Sequence, residues 1–175
     1  MFPERISTKR LVLRRPSETD AHDVFTSYAQ DPLVSRFLLW RPHASESTVR
    51  EFLVSCIAGW EAGGPLTYAI TEAPAGPVIG MIDARPKEST VDLGYVLARS
   101  RWGRGYMPEA IAAIAAQAHA LGFRRVQAFC DVENLPSQRA LEKAGFMRES
   151  RIERHLVLPN FSTEPRDSFL YAKLP

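Results

Sequence analysis

The chain has 175 residues, of which 45% are hydrophobic and 24% charged, and this composition is typical of one globular domain with a sizeable core. Its 22 basic and 20 acidic residues give a formal net charge of +2, which is too balanced for a dedicated nucleic-acid-binding protein. Because no apolar run is long enough for a membrane span or a signal-peptide core, and Cys56 and Cys130 have neither disulfide nor zinc-site spacing, we expect one cytoplasmic domain over residues 1–175.

The first half of the chain predicts two helices with recognisable ends. Ser17 to Asp20 supply side chains that can cap a helix, which runs to about Gln30 and ends at Asp31-Pro32. The second helix ends at Gly63-Gly64. Its apolar residues recur at the spacing of one helical face, namely Val49, Phe52, Leu53, Cys56, Ile57 and Trp60. We assign this face to the hydrophobic core.

Strands of an antiparallel meander are predicted around these helices. They are Leu11–Arg14, Leu66–Thr71, Val78–Ala84 and Thr90–Leu97. The connector Pro74-Ala75-Gly76-Pro77 is rich in turn residues and predicts a hairpin. Two short basic runs, Lys9-Arg10 and Arg14-Arg15, are typical of the solvated side of an edge strand.

Helices and strands alternate in the second half of the chain. A helix over Pro108–Leu121 ends at Gly122, and a shorter helix over Pro136–Ala144 ends at Gly145. The strands are Arg125–Val132, Phe146–Arg151 and Ser168–Lys173. This order of elements predicts an α+β domain, in which one mixed sheet combines an antiparallel meander with a following βαβα unit and carries helices on both faces.

A turn with two closely spaced glycines, Gly103 and Gly105, separates the strand Thr90–Leu97 from the helix Pro108–Leu121. Such a turn exposes several backbone N–H groups in one concavity, and the helix adds its unpaired N-terminal N–H groups and the positive end of its dipole. A pyrophosphate fits this arrangement. The Gly-x-Gly pattern also occurs in ordinary strand-to-helix turns, so the turn alone leaves both interpretations open.

Four motifs in a fixed order resemble one protein family. They are Gly94-Tyr95-Val96-Leu97, Trp102-Gly103-Arg104-Gly105-Tyr106-Met107-Pro108-Glu109-Ala110, Asn134-Leu135-Pro136-Ser137 and Glu142-Lys143-Ala144-Gly145-Phe146. Together they resemble the GNAT acetyltransferase superfamily and, within it, the Rim-type branch that includes ribosomal-protein N-terminal acetyltransferases. The resemblance extends from the first predicted strand to the last.

The resemblance implies an acetyl-CoA site between the fourth and fifth predicted strands, which splay apart in this fold. Unpaired backbone groups of Val96 and Leu97, together with the amide of Asn134, are expected to bind the pantetheine arm. The glycine turn is expected to hold the pyrophosphate, with Arg101 and Arg104 as counter-charges. The turn consists of Trp102, Gly103, Arg104, Gly105, Tyr106 and Met107, the last of which departs from the Gly or Ala common in the superfamily.

Acetyl transfer benefits from an acid that protonates the departing thiolate. Many superfamily members carry a tyrosine in the short last helix, where this chain has Leu141. In Rim-type relatives a serine faces the CoA sulfur, and the resemblance assigns this role to Ser137. The alternative for Ser137 and for Asn134 is a capping role at the start of that helix.

A base or a chain of water molecules must also remove a proton from the acceptor, since an amine is mostly ammonium at neutral pH. Asp83 and Asp92 are the candidate bases because both lie near strand ends beside the expected cleft, although the simpler interpretation of each is a solvated strand-end carboxylate. Asp131 and Glu133 are expected to bind water or a neighbouring arginine. The four histidines, among them His155, are expected at the surface.

The acceptor entrance is predicted in the segment between the first two helices. Phe37 and Trp40 belong to an apolar, aromatic run there, which either lines the entrance or packs on the sheet as core.

These features predict an N-acetyltransferase that moves acetyl from acetyl-CoA to a primary amine by direct attack in a ternary complex, without a metal. The acceptor is a protein N-terminus, a lysine or a small amine, and the protein is a monomer or homodimer with no nucleic-acid or membrane partner. The alternative is a catalytically weak or inactive module that binds and senses acyl-CoA. A dinucleotide-binding oxidoreductase is disfavoured because Pro108 stands where its fingerprint has a third glycine.

Overall fold

An eight-stranded sheet in the order β1-β2-β3-β4-β5-β6-β8-β7 forms the centre of the protein. The computed structural model describes residues 1–175. All neighbouring strands are antiparallel except β5 and β6, which are parallel. The strands are β1 (Arg5–Ser7), β2 (Leu11–Arg14), β3 (Leu66–Glu72), β4 (Val78–Lys87), β5 (Thr90–Leu97), β6 (Arg125–Asp131), β7 (Met147–Leu156) and β8 (Arg166–Lys173).

Five α-helices cover the two faces of this sheet. They are α1 (Ala21–Val24), α2 (Pro32–Ser35), α3 (Glu46–Ala62), α4 (Tyr106–Ala120) and α5 (Leu135–Lys143). A π-helical turn, Phe25–Ala29, continues α1. We call the side covered by α4 and α5 the α4 face, and the side covered by α1, α2 and α3 the α3 face. The predicted α+β class is confirmed, and none of the helices combines the length and apolarity that crossing a bilayer requires.

Alternating strand residues supply two hydrophobic clusters, one on each face. The larger cluster has 26 buried residues and joins Tyr68 and Ile82 of the sheet to Ile114 and Leu141 of α4 and α5. The smaller cluster has 11 buried residues and joins Met81 of β4 to α1, α2 and α3. Because successive side chains of a strand point to opposite faces, neighbouring residues of β4 and β5 serve different sides of the sheet.

The helix ends follow the capping residues of the sequence. Ser17 and Asp20 form a reciprocal capping box before α1. The Ser45 side chain accepts a hydrogen bond from the Thr48 N–H at the start of α3, and Gly63 ends that helix with a φ of 69°. The four predicted helices are confirmed, with ends that differ by a few residues from those of the sequence patterns.

Two short elements are missing from the sequence prediction, namely β1 and α2, which Asp31 caps. Because β1 pairs outside β2, the prediction that the basic runs flank an edge strand is wrong. Arg14 instead forms a bidentate ion pair with the buried carboxylate of Asp20, at 2.7 and 2.9 Å. The basic runs therefore make specific contacts, and the side chain of Arg10 reaches the glycine turn.

Candidate functional site

The parallel strands β5 and β6 separate part-way along their length. They pair from Thr90 to Leu93 on β5 and from Arg125 to Ala128 on β6. Beyond these residues β5 stays paired with β4, and β6 stays paired with β8. A wedge-shaped gap therefore opens between residues 94–97 and residues 129–131. This gap is the predicted splay. The fourth and fifth predicted strands correspond to β5 and β6, because the sequence prediction lacks β1.

The register of β4 and β5 decides which backbone groups line the gap. In an antiparallel pair, alternate residues direct both their N–H and C=O groups at the partner strand. The Ala98 N–H donates to a β4 carbonyl at 2.8 Å, so Val96, two residues earlier, faces β4 as well. The Val96 carbonyl lies against Gly80, at a distance that only a residue without Cβ allows. The backbone groups of Tyr95 and Leu97 face the gap instead. Of the two predicted pantetheine contacts, Val96 and Leu97, only Leu97 therefore directs its backbone groups into the gap.

Trp102 connects the glycine turn to the gap. Its indole N–H donates to the Leu97 carbonyl at 2.8 Å. That carbonyl is therefore already paired, and the N–H of Leu97 is the backbone group that this residue offers to a ligand in the gap.

The glycine turn presents a row of unpaired backbone N–H groups. Gly103 and Gly105 have φ values of 74° and 75°, in the left-handed region that favours glycine. No acceptor within the protein pairs with the N–H groups of residues 103–107, which include the first two residues of α4. The side chain of Met107 is buried in the core, and its N–H is one of the unpaired groups of the row. Together with the α4 dipole, these groups form a candidate anion site.

The two predicted counter-charges differ in availability. Arg101 donates to one carboxylate oxygen of Glu72 at 3.0 Å, and the Tyr106 hydroxyl donates to the other at 2.7 Å. The hydrogen bond from Tyr106 and the charge of Arg101 lower the pKa of the Glu72 carboxyl group, which is therefore ionised at neutral pH. The Glu72 carboxylate balances the positive charge of Arg101. Arg104 forms a hydrogen bond only through its backbone carbonyl, so its guanidinium is available to an anion.

A hydrogen-bonded pair of hydroxyls lies on the α4 face of the gap. The Ser137 Oγ and the Tyr95 hydroxyl oxygen are 2.7 Å apart. Ser137 occupies the first turn of α5, where its N–H donates to the Asn134 side chain at 3.3 Å, so Asn134 is the N-cap of α5. Burial raises the pKa of Tyr95 and keeps its hydroxyl protonated. The sequence prediction omits Tyr95, although strand alternation puts it on the same face as the core residue Leu93.

Neither cysteine has the properties of a nucleophile. Both are free and buried. Burial raises the pKa of the Cys130 thiol to about 12, although the nearby Ser137 hydroxyl opposes the shift, and burial raises the pKa of Cys56 to about 11. The thiolate is the reactive form of cysteine, and both side chains remain thiols at neutral pH.

The two candidate bases lie on the α3 face. Asp83 of β4 is directly opposite Gly94, the first residue of β5 within the gap. It is half-buried, and burial raises the pKa of its carboxyl group. Asp92 lies at the closed end of the gap, where its carboxylate accepts a hydrogen bond from Gln127 at 2.8 Å. Asp83 is therefore nearer to the open part of the gap.

Two loops meet beside the gap on the α3 face. One, residues 36–45, joins α2 to α3, and the other, residues 157–165, joins β7 to β8. The Asn160 side-chain amide, from the second loop, donates to the carbonyls of Ser35 and Trp40 at 2.8 and 2.6 Å. This side chain therefore fixes the two loops relative to each other.

Aromatic and charged side chains complete the contact between these loops. Phe37 and Phe161 stack with ring centroids 5.3 Å apart, while half-buried Trp40 packs on the smaller hydrophobic cluster. The Arg166 guanidinium lies 3.9 Å from the Phe161 ring centroid and forms a bidentate ion pair with Asp131 at 2.7 and 3.0 Å. Asp131 ends β6 beside the gap, so the ion pair holds the β7–β8 loop there.

Residues 10–147 of the chain match the acetyltransferase (GNAT) domain family. The chain belongs to this family. An uncharacterised N-acetyltransferase of Bacillus licheniformis, p20, is 29% identical over 152 residues, which cover 83% of this chain and 84% of p20.

Solved GNAT structures share the fold over nearly the whole chain. RimL, the ribosomal L7/L12 alpha-N-protein acetyltransferase, in complex with coenzyme A, has a TM-score of 0.85 and 21% identity, with 98% of each chain covered. The microcin C7 self-immunity acetyltransferase MccE, in complex with acetyl-CoA and AMP, has a TM-score of 0.87 and 19% identity, with coverage of 99% of this chain and 98% of MccE. The resemblance to the GNAT superfamily, with Rim-type neighbours, is confirmed, and the protein is a GNAT acetyltransferase.

This GNAT protein lacks the helical tyrosine found in many superfamily members. Leu141 is fully buried in the larger cluster and brings no polar group to the gap. The Tyr95 hydroxyl approaches Ser137 from the adjacent strand β5 instead. The GNAT site therefore contains a tyrosine hydroxyl, but it comes from a strand rather than from α5.

His155 of this GNAT protein is half-buried, as are His43 and His119, whereas His22 is exposed. Its strand, β7, extends five residues beyond the predicted end at Arg151, through a register shift at which Arg154 has a φ of 48°. The His155 ring packs on Phe129 of β6 at a centroid distance of 4.7 Å, and its Nδ1 is buried without a hydrogen-bond partner. The strand extension thus brings an imidazole to the gap.

Proposed function

We propose that this GNAT acetyltransferase transfers the acetyl group of acetyl-CoA to a primary amine by direct attack in a ternary complex. The observation that carries the proposal is that the β5–β6 gap leads into the unpaired N–H groups of residues 103–107. An extended amide-bearing arm attached to a pyrophosphate matches both parts. The coenzyme A and acetyl-CoA complexes of two structural neighbours support the same acyl donor.

In the proposed complex the pantetheine arm lies along β5 and the pyrophosphate lies on the glycine turn. The Leu97 N–H donates to an amide carbonyl of the arm, much as it would to a neighbouring strand. The N–H groups of the turn and the Arg104 guanidinium bind the phosphate oxygens. Arg101 contributes less, because Glu72 already opposes its charge.

During transfer the amine nitrogen forms a bond to the thioester carbonyl carbon, and the carbon–sulfur bond breaks. The departing thiolate takes a proton from the Ser137 hydroxyl, and Tyr95, 2.7 Å from Ser137, replaces that proton. Tyr95 regains its own proton from solvent, and its raised pKa favours this return. The nitrogen loses two protons, one from the ammonium before the attack and one to water as the amide forms, and the thiolate gains one. The products are therefore an N-acetylated amine, the free CoA thiol and one net proton.

Asp83 accepts the acceptor proton through water, since β4 is one strand away from the gap. It serves the α3 face, whereas Ser137 serves the α4 face, so deprotonation of nitrogen and protonation of sulfur take place on opposite sides of the thioester. A raised pKa suits this role because a general base is most effective when its pKa approaches the working pH. Asp92 is the alternative base, but its carboxylate is engaged by Gln127.

The acceptor enters on the α3 face beside the two loops that Asn160 joins. Phe37 and Trp40 form the apolar wall of this entrance while they also pack against Phe161 and the smaller cluster. The acceptor classes are a protein N-terminus, a lysine side chain and a small amine. RimL, by its name, acts on the N-terminus of a ribosomal protein, which makes peptide α-amines the first class to examine.

The test is thiol release from acetyl-CoA in the presence of peptide α-amines, lysine peptides and small amines, with the acetylated product identified by mass spectrometry. We expect thiol release that depends on one acceptor class, and a higher KM for that acceptor in Trp40→Ala. An unchanged acceptor KM in folded Trp40→Ala contradicts the entrance. Tight CoA binding without turnover on any acceptor supports an acyl-CoA-sensing module instead, and absence of CoA binding contradicts both functions.

A further inference from the structure

The loop between β1 and β2 contacts the glycine turn from the side opposite the free N–H groups. Arg10 donates from Nη1 to the Arg104 carbonyl at 2.8 Å and from Nη2 to the Gly105 carbonyl at 3.1 Å. Its Nε donates to one carboxylate oxygen of Glu109, in the first turn of α4, at 2.7 Å. The Arg10 N–H and the Thr8 hydroxyl donate to the other oxygen at 2.9 and 2.6 Å. We call Thr8, Arg10 and Glu109 the hairpin clamp.

The hairpin clamp fixes the direction of two peptide groups in the turn. A trans peptide group carries its C=O and N–H on opposite sides. Because the carbonyls of Arg104 and Gly105 point at Arg10, the N–H groups of Gly105 and Tyr106 point away from it. These two N–H groups belong to the row without a partner in the chain. The clamp thus orients two of the N–H groups that form the anion site.

The charge of Arg10 is engaged within the clamp. Its three guanidinium nitrogens bind two carbonyls and one carboxylate. Although burial opposes it, hydrogen bonds from Thr8 and Arg10 lower the pKa of Glu109, which remains ionised at neutral pH. Because Glu109 balances the charge of Arg10, we expect Arg10 to affect anion binding through the conformation of the turn and not through direct charge attraction.

We infer that the hairpin clamp is a positioning device for the pyrophosphate of acetyl-CoA and that Arg10 is a positioning residue for the acyl donor. The inference rests on the proposed function. The clamp holds two N–H groups in the phosphate-binding direction before the ligand arrives, which reduces the ordering that binding requires. It contacts neither the thioester nor the acceptor site, so it alters the KM for acetyl-CoA and leaves kcat and the acceptor KM unchanged.

The test compares acetyl-CoA with S-acetylpantetheine, which has the same thioester and arm but no pyrophosphate. We expect Arg10→Ala to raise the KM for acetyl-CoA by about tenfold, as the loss of charge-assisted hydrogen bonds predicts. The KM for S-acetylpantetheine should change by less than about twofold, because that donor does not use the turn. Arg10→Lys should resemble Arg10→Ala, since an ammonium keeps the charge but cannot bind all three acceptors. Lys9→Ala, which removes an exposed charge from the adjacent residue, is the matched control and should match the wild type.

Rescue by Arg10→Lys overturns the inference in favour of a direct charge effect, and an equal loss with both donors overturns it in favour of a general structural defect. Thermal unfolding checks that each variant is folded. If the Arg10 variants do not fold, Thr8→Val decides, because it removes one hydrogen bond of the clamp and should give a smaller effect with the same preference for acetyl-CoA. A wild-type protein that uses both donors equally contradicts the proposed pyrophosphate site itself, independently of the clamp.

Discussion

The proposed acyl-donor side and the proposed acceptor side of the gap are built from different parts of the protein. The donor side consists mainly of consecutive backbone N–H groups in one turn and the first turn of α4. The acceptor side consists of side chains from two loops that are joined by Asn160. A backbone site depends on conformation and tolerates many side chains, whereas a side-chain site changes with each substitution. The comparison therefore predicts separable effects of mutation on the two substrates.

The largest effect is expected at Ser137, where the two sides meet. Ser137→Ala should lower kcat by about a hundredfold or more, because the thiolate loses its proton donor. The KM values for both substrates should change little, since the hydroxyl assists the departing sulfur. Steady-state kinetics with the acceptor that the thiol-release assay identifies measure both parameters. Tyr95→Phe should lower kcat less, because Ser137 remains, and an unchanged kcat in Ser137→Ala removes the hydroxyl pair from the mechanism.

A backbone change should affect the donor side selectively. Gly105→Ala places a Cβ on a residue with a φ of 75°, 3.4 Å from Arg10 Nη2, at an expected strain of about 1 kcal/mol. We expect the KM for acetyl-CoA to rise by about fivefold and the acceptor KM to stay constant.

Gly63→Ala is the matched control for this strain. Gly63 has a φ of 69° with no atom within 4 Å of an added Cβ, and it ends α3 away from the turn. Both variants should lose similar thermal stability, but Gly63→Ala should bind CoA like the wild type in calorimetry. Similar losses of CoA affinity in both variants contradict a donor site made of oriented N–H groups.

Asn160→Ala should affect the acceptor side and leave the donor side unchanged. The change leaves the Ser35 and Trp40 carbonyls without their shared donor, which should raise the acceptor KM by about threefold to tenfold and lower the free energy of unfolding by about 1–2 kcal/mol. The KM for acetyl-CoA should not change. Thr163→Ala, on an exposed position of the same loop, is the control. If Asn160→Ala raises only the KM for acetyl-CoA, the result contradicts the assignment of these loops to the acceptor side.

The same difference explains which features were predictable from the sequence. The helix α3 and the glycine turn have local signals, because a periodic apolar face, a serine cap and closely spaced glycines each act within a few residues. The hairpin clamp joins Arg10 to carbonyls 94 and 95 residues away, and Asn160 reaches carbonyls 125 and 120 residues away. No local pattern encodes these contacts. Both residues of the Tyr95–Ser137 hydroxyl pair belong to recognised motifs, but only Ser137 was assigned a role, because the contact between them spans 42 residues of sequence.

The smallest effect concerns the pH dependence of stability on the acceptor side, at Asp83. Burial raises the pKa of this carboxyl group above its ordinary value of 3.8, so the folded state binds its proton more tightly than the unfolded state does. This stabilising contribution is complete below pH 3.8 and is lost as the pH rises through the raised pKa. Asp83→Asn, which stays neutral, should therefore gain stability relative to the wild type as the pH rises from acid to neutral, in urea unfolding measured at several pH values.

Asp167 provides the control of opposite sign. The Arg154 N–H and the Arg151 guanidinium lower the pKa of its carboxyl group below the ordinary value of 3.8. Its contribution is present above pH 3.8 and is lost as the pH falls through the lowered pKa, so Asp167→Asn should be less stable than the wild type at neutral pH and approach it in acid. Opposite pH trends in the two variants would establish that the Asp83 carboxyl is desolvated in the folded protein, which is the property that a base beside the acceptor needs. An Asp83→Asn effect that does not change with pH would show that Asp83 is solvated, and a trend parallel to that of Asp167→Asn would show that its carboxylate is stabilised in the folded protein. Either result would leave proton removal from the acceptor to another group on the α3 face.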